Sequence, residues 1–62
     1  MDLEERLKSA VARAYRAAGL HLPDMHIASL ARVYADWARD ADEGVVERLE
    51  RALAASLGAA HA

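Results

Sequence analysis

The chain has 62 residues, which suffices for one small domain with a thin hydrophobic core. It contains no cysteine, so disulfides and thiolate metal sites are excluded. The net charge of −2 argues against a nucleic-acid partner, and no apolar run approaches the roughly 20 residues that a membrane span requires.

Alanine accounts for much of the apolar content, with 16 residues out of 62. Burying alanine gains little free energy, because the hydrophobic term follows apolar area. A chain of this composition struggles to bury enough apolar area by itself, so we expect a homo-oligomer or a protein partner to complete the core. The alternative explanation is a GC-rich coding sequence, which also fits seven arginines against one lysine.

The first predicted helix covers residues 3–18. Its apolar residues recur at three- and four-residue steps and form one stripe. Asp2, Glu4 and Glu5 suit the positive end of the helix dipole. Gly19 is expected to end this helix, because glycine adopts left-handed backbone angles without steric cost.

The second predicted helix covers residues 24–41, with Pro23 expected in its first turn. Val33 widens its apolar stripe beside Leu30 and Trp37. An apolar arc this broad predicts a helix that contacts two neighbours, so we expect this helix to lie in the middle of the bundle.

The third predicted helix covers residues 43–57, starting after a turn in which Asp42 is a candidate cap. Gly58 is expected to end it and to leave residues 59–62 frayed. Short connectors place neighbouring helices antiparallel, so residues 1–62 are predicted to form a single all-α domain, an up-down-up three-helix bundle.

Catalysis and DNA binding are both poorly supported. Ser9, Ser29 and Ser56 lie within predicted helices, away from any strained elbow or neighbouring histidine, so we expect no catalytic residue and no enzyme. A DNA-binding helix-turn-helix formed by the second and third helices is also poorly supported. Its recognition helix would match every arginine with a glutamate, as in Glu47-Arg48 and Glu50-Arg51.

The most unusual polar cluster surrounds the first turn and consists of His21, Asp24, Met25 and His26. Histidine, carboxylate and thioether groups can bind transition metals. The two histidines are five residues apart, however, whereas helical metal motifs use spacings of three or four. These residues are therefore weak metal candidates, and we expect no cofactor. Zinc, copper or nickel should raise the melting temperature if they do bind.

A protein–protein interaction has better support from the sequence. Tyr34 and Trp37 belong to the residue types enriched at interface hot spots, although Trp37 is also a natural anchor for the monomer core. The expected core or interface residues are Leu30, Val33, Tyr34, Trp37, Val46, Leu49 and Leu53.

Residues 15–38 resemble the small accessory subunits of amidase complexes. The resemblance rests on the connector Gly19-Leu20-His21-Leu22 between two alanine-rich helices. It implies a short helical chain that docks on a large amidase. The acidic turn at residues 40–44 and the third helix depart from that pattern, so no functional residue is transferred.

The leading hypothesis is therefore a non-enzymatic helical module that self-associates or docks on a larger protein as a subunit, adaptor or inhibitor. A small metal- or ligand-binding protein and an accessory subunit of a larger enzyme are the alternatives. The acidic start of the sequence lacks the basic region of a signal peptide, so a cytoplasmic location is expected.

Overall fold

A computed structural model describes residues 2–41 and 44–61, with side-chain environments up to residue 58. The described chain forms three helices, α1 (Leu3–Ala17), α2 (Asp24–Trp37) and α3 (Val45–His61). They form a small all-α three-helix bundle, which confirms the predicted fold class. The described part of the chain contains no strand.

Helix α1 is closed at both ends by local hydrogen bonds. The backbone N–H of Glu5 donates to Oδ1 of Asp2 at 2.8 Å, so Asp2 is the N-cap. At the other end Gly19 has φ +77°. The N–H groups of Gly19 and Leu20 donate to the carbonyls of Arg16 and Tyr15, at 3.0 and 2.9 Å. This is a Schellman motif, which confirms Gly19 as the helix stop.

Helix α2 begins at Asp24 as predicted but ends at Trp37, four residues before the predicted end at Ala41. Pro23 stands before the helix as its N-cap instead of within its first turn. The charges within the last turn do not favour a longer helix. The last turn carries no basic residue, while Asp36 and Asp40 place negative charge at the negative end of the dipole. The chain leaves α2 through a turn in which Ala41 N–H donates to Ala38 O.

Helix α3 is longer than predicted at its carboxyl end. It continues through Gly58 to His61, so the prediction of a stop at Gly58 is wrong. Fraying of residues 59–62 stays a prediction, and residue 62 lies outside the described residues. Glycine is compatible with helical angles, and the alanines on both sides are the strongest helix formers. The predicted start at Glu43 and the predicted cap at Asp42 lie outside the described residues.

Helix α1, and not α2, is the central helix. It packs against both α2 and α3, whereas no Cα atom of α2 lies within 8 Å of a Cα atom of α3 in the described chain. The prediction that α2 lies in the middle is therefore wrong. Its broad apolar arc has another cause, because part of that arc faces solvent.

Directions of the helices follow from the contacts between their ends. Glu4 of α1 lies beside Arg39 beyond the end of α2, and Arg16 lies beside Asp24, so α1 and α2 are antiparallel. Two salt bridges join α1 to α3 in the same order along both helices. The topology is therefore up-down-up, as predicted.

Small side chains dominate the core. The largest fully buried side chains are Leu7 and Val11, both on α1. The other buried residues are Ala10, Ala14, Ala31, Ala38, Val45 and Val46. Alanines at the contact let α1 and α2 approach closely, but they contribute little apolar area.

Candidate functional site

An open groove lies between α2 and α3, with α1 behind it. Both outer helices pack on α1, and among the described residues no Cα atom of α2 lies within 8 Å of one of α3, so we call α2 and α3 the two arms of the groove. Four side chains surround one concave space of about 280 Å³, namely Val33, Tyr34, Trp37 and Leu49. A second space of about 310 Å³ shares Trp37 and Leu49 with it and is also lined by Ala41, Val45, Arg48 and Ala52. We call these eight residues together the α2–α3 groove.

Exposure varies systematically across the groove. Tyr34 and Leu49 are half-buried and pack against the core, so they form the bottom of the groove. Val33 and Trp37 stand on the α2 arm and are 62% and 74% exposed. Trp37 is therefore not the anchor of the monomer core, which corrects that expectation. In α2 the face toward α1 is occupied by Ala31, with Ala38 just beyond the helix end, and Trp37 points sideways from that contact.

The other predicted core or interface residues are distributed between the core and the groove. Val46 is buried, whereas Leu30 and Leu53 are half-buried. Leu30 precedes Val33 by three residues and Leu53 follows Leu49 by four, so each extends one arm of the groove by a helical turn. The groove thus brings together residues that the sequence had placed on two separate helices.

The polar cluster at the first turn is exposed at each of its four residues, His21, Asp24, Met25 and His26. Met25 is 74% exposed and lies beside Lys8 and Ala12 of α1. Within the described residues, no three histidine, aspartate or glutamate side chains come close enough together to hold a metal ion. Metal binding by this cluster stays a prediction.

Charged contacts fix the position of α3 on α1. Arg13 donates to Glu50 through two nitrogen atoms, Nε at 3.0 Å and Nη2 at 2.7 Å. The hydrogen bond and the charge of Arg13 lower the pKa of the Glu50 carboxyl below its ordinary value. The same hydrogen bond and charge raise the pKa of Arg13. Arg6 and Glu47 add a longer contact of 3.7 Å.

Arg13 and Arg16 near the end of α1 form a small basic spot in the sequence, and this ion pair reduces its charge. The carboxylate of Glu50 neutralises Arg13, so the spot is less positive than the sequence of α1 alone indicates. Sequence reasoning missed the pair because its partners are 37 residues apart.

Two larger open spaces lie beside α1, but their linings are more polar than the α2–α3 groove. One of about 440 Å³ includes Glu4, Arg32, Asp36 and Arg39 among its lining residues. The other, of about 520 Å³, includes Lys8, Ser9 and Asp24. Only one of the eight residues in the α2–α3 groove, Arg48, is charged.

No model of a protein family, no curated protein and no solved structure matches this chain. None of the helices among the described residues combines the length and the apolar character needed to cross a bilayer.

Proposed function

We propose that this protein is a non-enzymatic helical interaction module that binds another polypeptide through the α2–α3 groove. The observation that supports it is a tryptophan that is 74% exposed beside an apolar concavity. Apolar surface on its own is common on soluble proteins. A large aromatic side chain next to a largely uncharged groove is the arrangement found at interface hot spots.

The shape of the groove favours a helix as its occupant. Both arms are helices, and the concavity between them is lined mainly by apolar side chains, so the apolar face of a further helix can pack against it. An amphipathic helix lying there would place its apolar stripe against Tyr34 and Leu49 and against the side of Trp37. A small molecule fits less well, because the concavity is shallow and open to solvent.

A photo-crosslinking experiment with a matched control tests this function. The photoreactive amino acid p-benzoyl-phenylalanine replaces Val33 in the groove or, as the control, Met25 on another face of α2. Both native side chains are strongly exposed, at 62% and 74%. Illumination of cells that produce the full chain should give adducts with a polypeptide at position 33 and not at position 25, identified by mass spectrometry.

Two further features of the experiment make the result decisive. A Trp37→Ala change in the same chain should abolish the adduct at position 33, since it removes the main apolar contact. Absence of any polypeptide adduct at position 33, or equal yields at both positions, would contradict the proposed function.

A further inference from the structure

We infer that the polypeptide in the α2–α3 groove is a second copy of this chain, bound in a two-fold symmetric dimer. The inference rests on the proposed function and adds the identity of the partner. Three properties of the described residues support it, and they concern the core, the shape of the groove and the charges beside it.

The buried side chains of one copy provide little apolar area for a chain of this length. Its two largest fully buried side chains are Leu7 and Val11, and four of the other six buried residues are alanines. A chain near 60 residues buries only about 60% of its unfolded surface, and oligomerisation is a common remedy. A stable dimer buries about 800 Å² per partner, roughly one-fifth of the 4418 Å² surface of this chain.

The groove also contains both parts of a self-complementary contact. Trp37 protrudes from the α2 arm, and the concavity beside it is bounded by Tyr34 and Leu49. In a two-fold interface the same patch faces itself, so Trp37 of each copy can enter the groove of the other. Each α2 then lies between the two arms of its partner. The result is a six-helix core in which the exposed apolar side chains are covered.

Exposed charges of opposite sign stand beside the two arms of the groove. On the α2 side, the exposed Asp40 stands in the turn after the helix, next to the groove residue Ala41. The other nearby carboxylate, Asp36, is paired with Arg39 at 3.5 Å. On α3, Arg51 follows the groove residue Arg48 by three, so guanidinium groups flank that arm. When α2 of one copy enters the other groove, Asp40 at its end comes to the basic side of the partner α3. Like-charged flanks would disfavour this pairing.

A charge exchange tests this arrangement in the full chain. The dissociation constant of the dimer is measured by sedimentation equilibrium at low ionic strength for the wild type, Asp40→Arg, Arg51→Asp and the double variant. Asp40 and Arg51 form no ion pair within the described residues, so neither change breaks a bridge there. Arg16→Asp is the control. Arg16 lies nine residues after Leu7, which places it on the opposite face of α1.

Each single change in the groove flank should weaken the dimer about tenfold or more, because the symmetry doubles every repulsive contact. The double variant should recover most of the loss, and Arg16→Asp should leave the dissociation constant nearly unchanged. Circular dichroism of each variant checks that the helices remain folded.

Two results would overturn the inference, and neither is the same as failure of the proposed function. A wild-type chain that stays monomeric at millimolar concentration would exclude a second copy as the partner. A dimer that is insensitive to the single changes, or not restored by the double change, would exclude this arrangement of α2 against α3. In either case an adduct at position 33 with a different protein would still support the groove as a docking site.

Discussion

At the scale of single residues, the apolar side chains of this chain belong to two groups with different roles. Leu7 is fully buried between the helices, whereas Trp37 is 74% exposed on the α2 arm. Size does not decide which residue is buried. The alanines of α2 permit its close approach to α1, and the tryptophan is left beside that contact.

Replacing each of these two residues with alanine should therefore have different effects on the monomer. Leu7→Ala leaves a cavity and should lower the free energy of unfolding by about 2–5 kcal/mol. Trp37→Ala should lower it by less than about 1 kcal/mol, as exposed substitutions usually do. Urea unfolding at a protein concentration low enough to keep the chain monomeric measures both. A loss of several kcal/mol in Trp37→Ala would mean that Trp37 belongs to the monomer core.

Two glycines form a second matched pair. A Cβ atom would meet nothing within 4 Å at either Gly19 or Gly58, so space does not distinguish them. Their backbone conformations distinguish them, since Gly19 has φ +77° and Gly58 lies within α3.

Gly19→Ala should destabilise the fold by about 1–2 kcal/mol, because left-handed angles disfavour a Cβ atom. Gly58→Ala should instead stabilise α3 by up to about 1 kcal/mol, because alanine has the higher helix propensity. Thermal unfolding followed by circular dichroism gives both signs. Destabilisation by Gly58→Ala would contradict the continuation of α3 through this residue.

At the scale of helices, the sequence predicted the number and type of the elements because the apolar periodicity is strong in all three. It predicted the boundaries less well, since a glycine can end a helix or lie within it. Gly19 ends α1, whereas Gly58 lies within α3. Only the conformation of the surrounding backbone distinguishes the two glycines.

The position of α2 could not be predicted for a different reason. An apolar arc that covers two faces fits a helix with two neighbours in the monomer, and it equally fits a helix with one neighbour and one open face. Val33 and Trp37 lie on such an open face. The residue types of the groove were predictable, but their grouping around one concavity depends on how α3 packs against α1.

The contact between α1 and α3 should give the fold a measurable pH dependence. Arg13 lowers the pKa of Glu50 in the folded chain, so folding is favoured when Glu50 is ionised. This stabilisation is fully present above the ordinary glutamate pKa of about 4.5 and is lost as the pH falls through the lower folded value.

A comparison of the wild type with Glu50→Gln between pH 6 and pH 2.5 isolates this effect. The difference in unfolding free energy should shrink toward zero at acidic pH, where the protonated carboxyl resembles the amide. In an Arg13→Leu background the same difference should depend much less on pH. A difference that is constant over the range would show that Arg13 does not stabilise the ionised Glu50 in solution.

At the scale of the whole molecule, the thin core and the open groove have a common explanation. Three helices with small residues at their contacts close around α1 but leave α2 and α3 apart. In the proposed dimer, a second copy covers the exposed side chains of both arms. Folding and association should then be linked, so the melting temperature should rise with protein concentration.

The most direct test of the account is the mass of the unmodified chain in solution, measured by sedimentation equilibrium over a wide concentration range with a chelator present. A two-fold dimer predicts a rise from 6.7 kDa toward twice that mass. Trp37→Ala should remain at the monomer mass, while Met25→Ala, which removes an equally exposed side chain on another face, should behave as the wild type. A wild-type mass that stays at 6.7 kDa at every concentration, or an equal loss of association in both variants, would contradict the account.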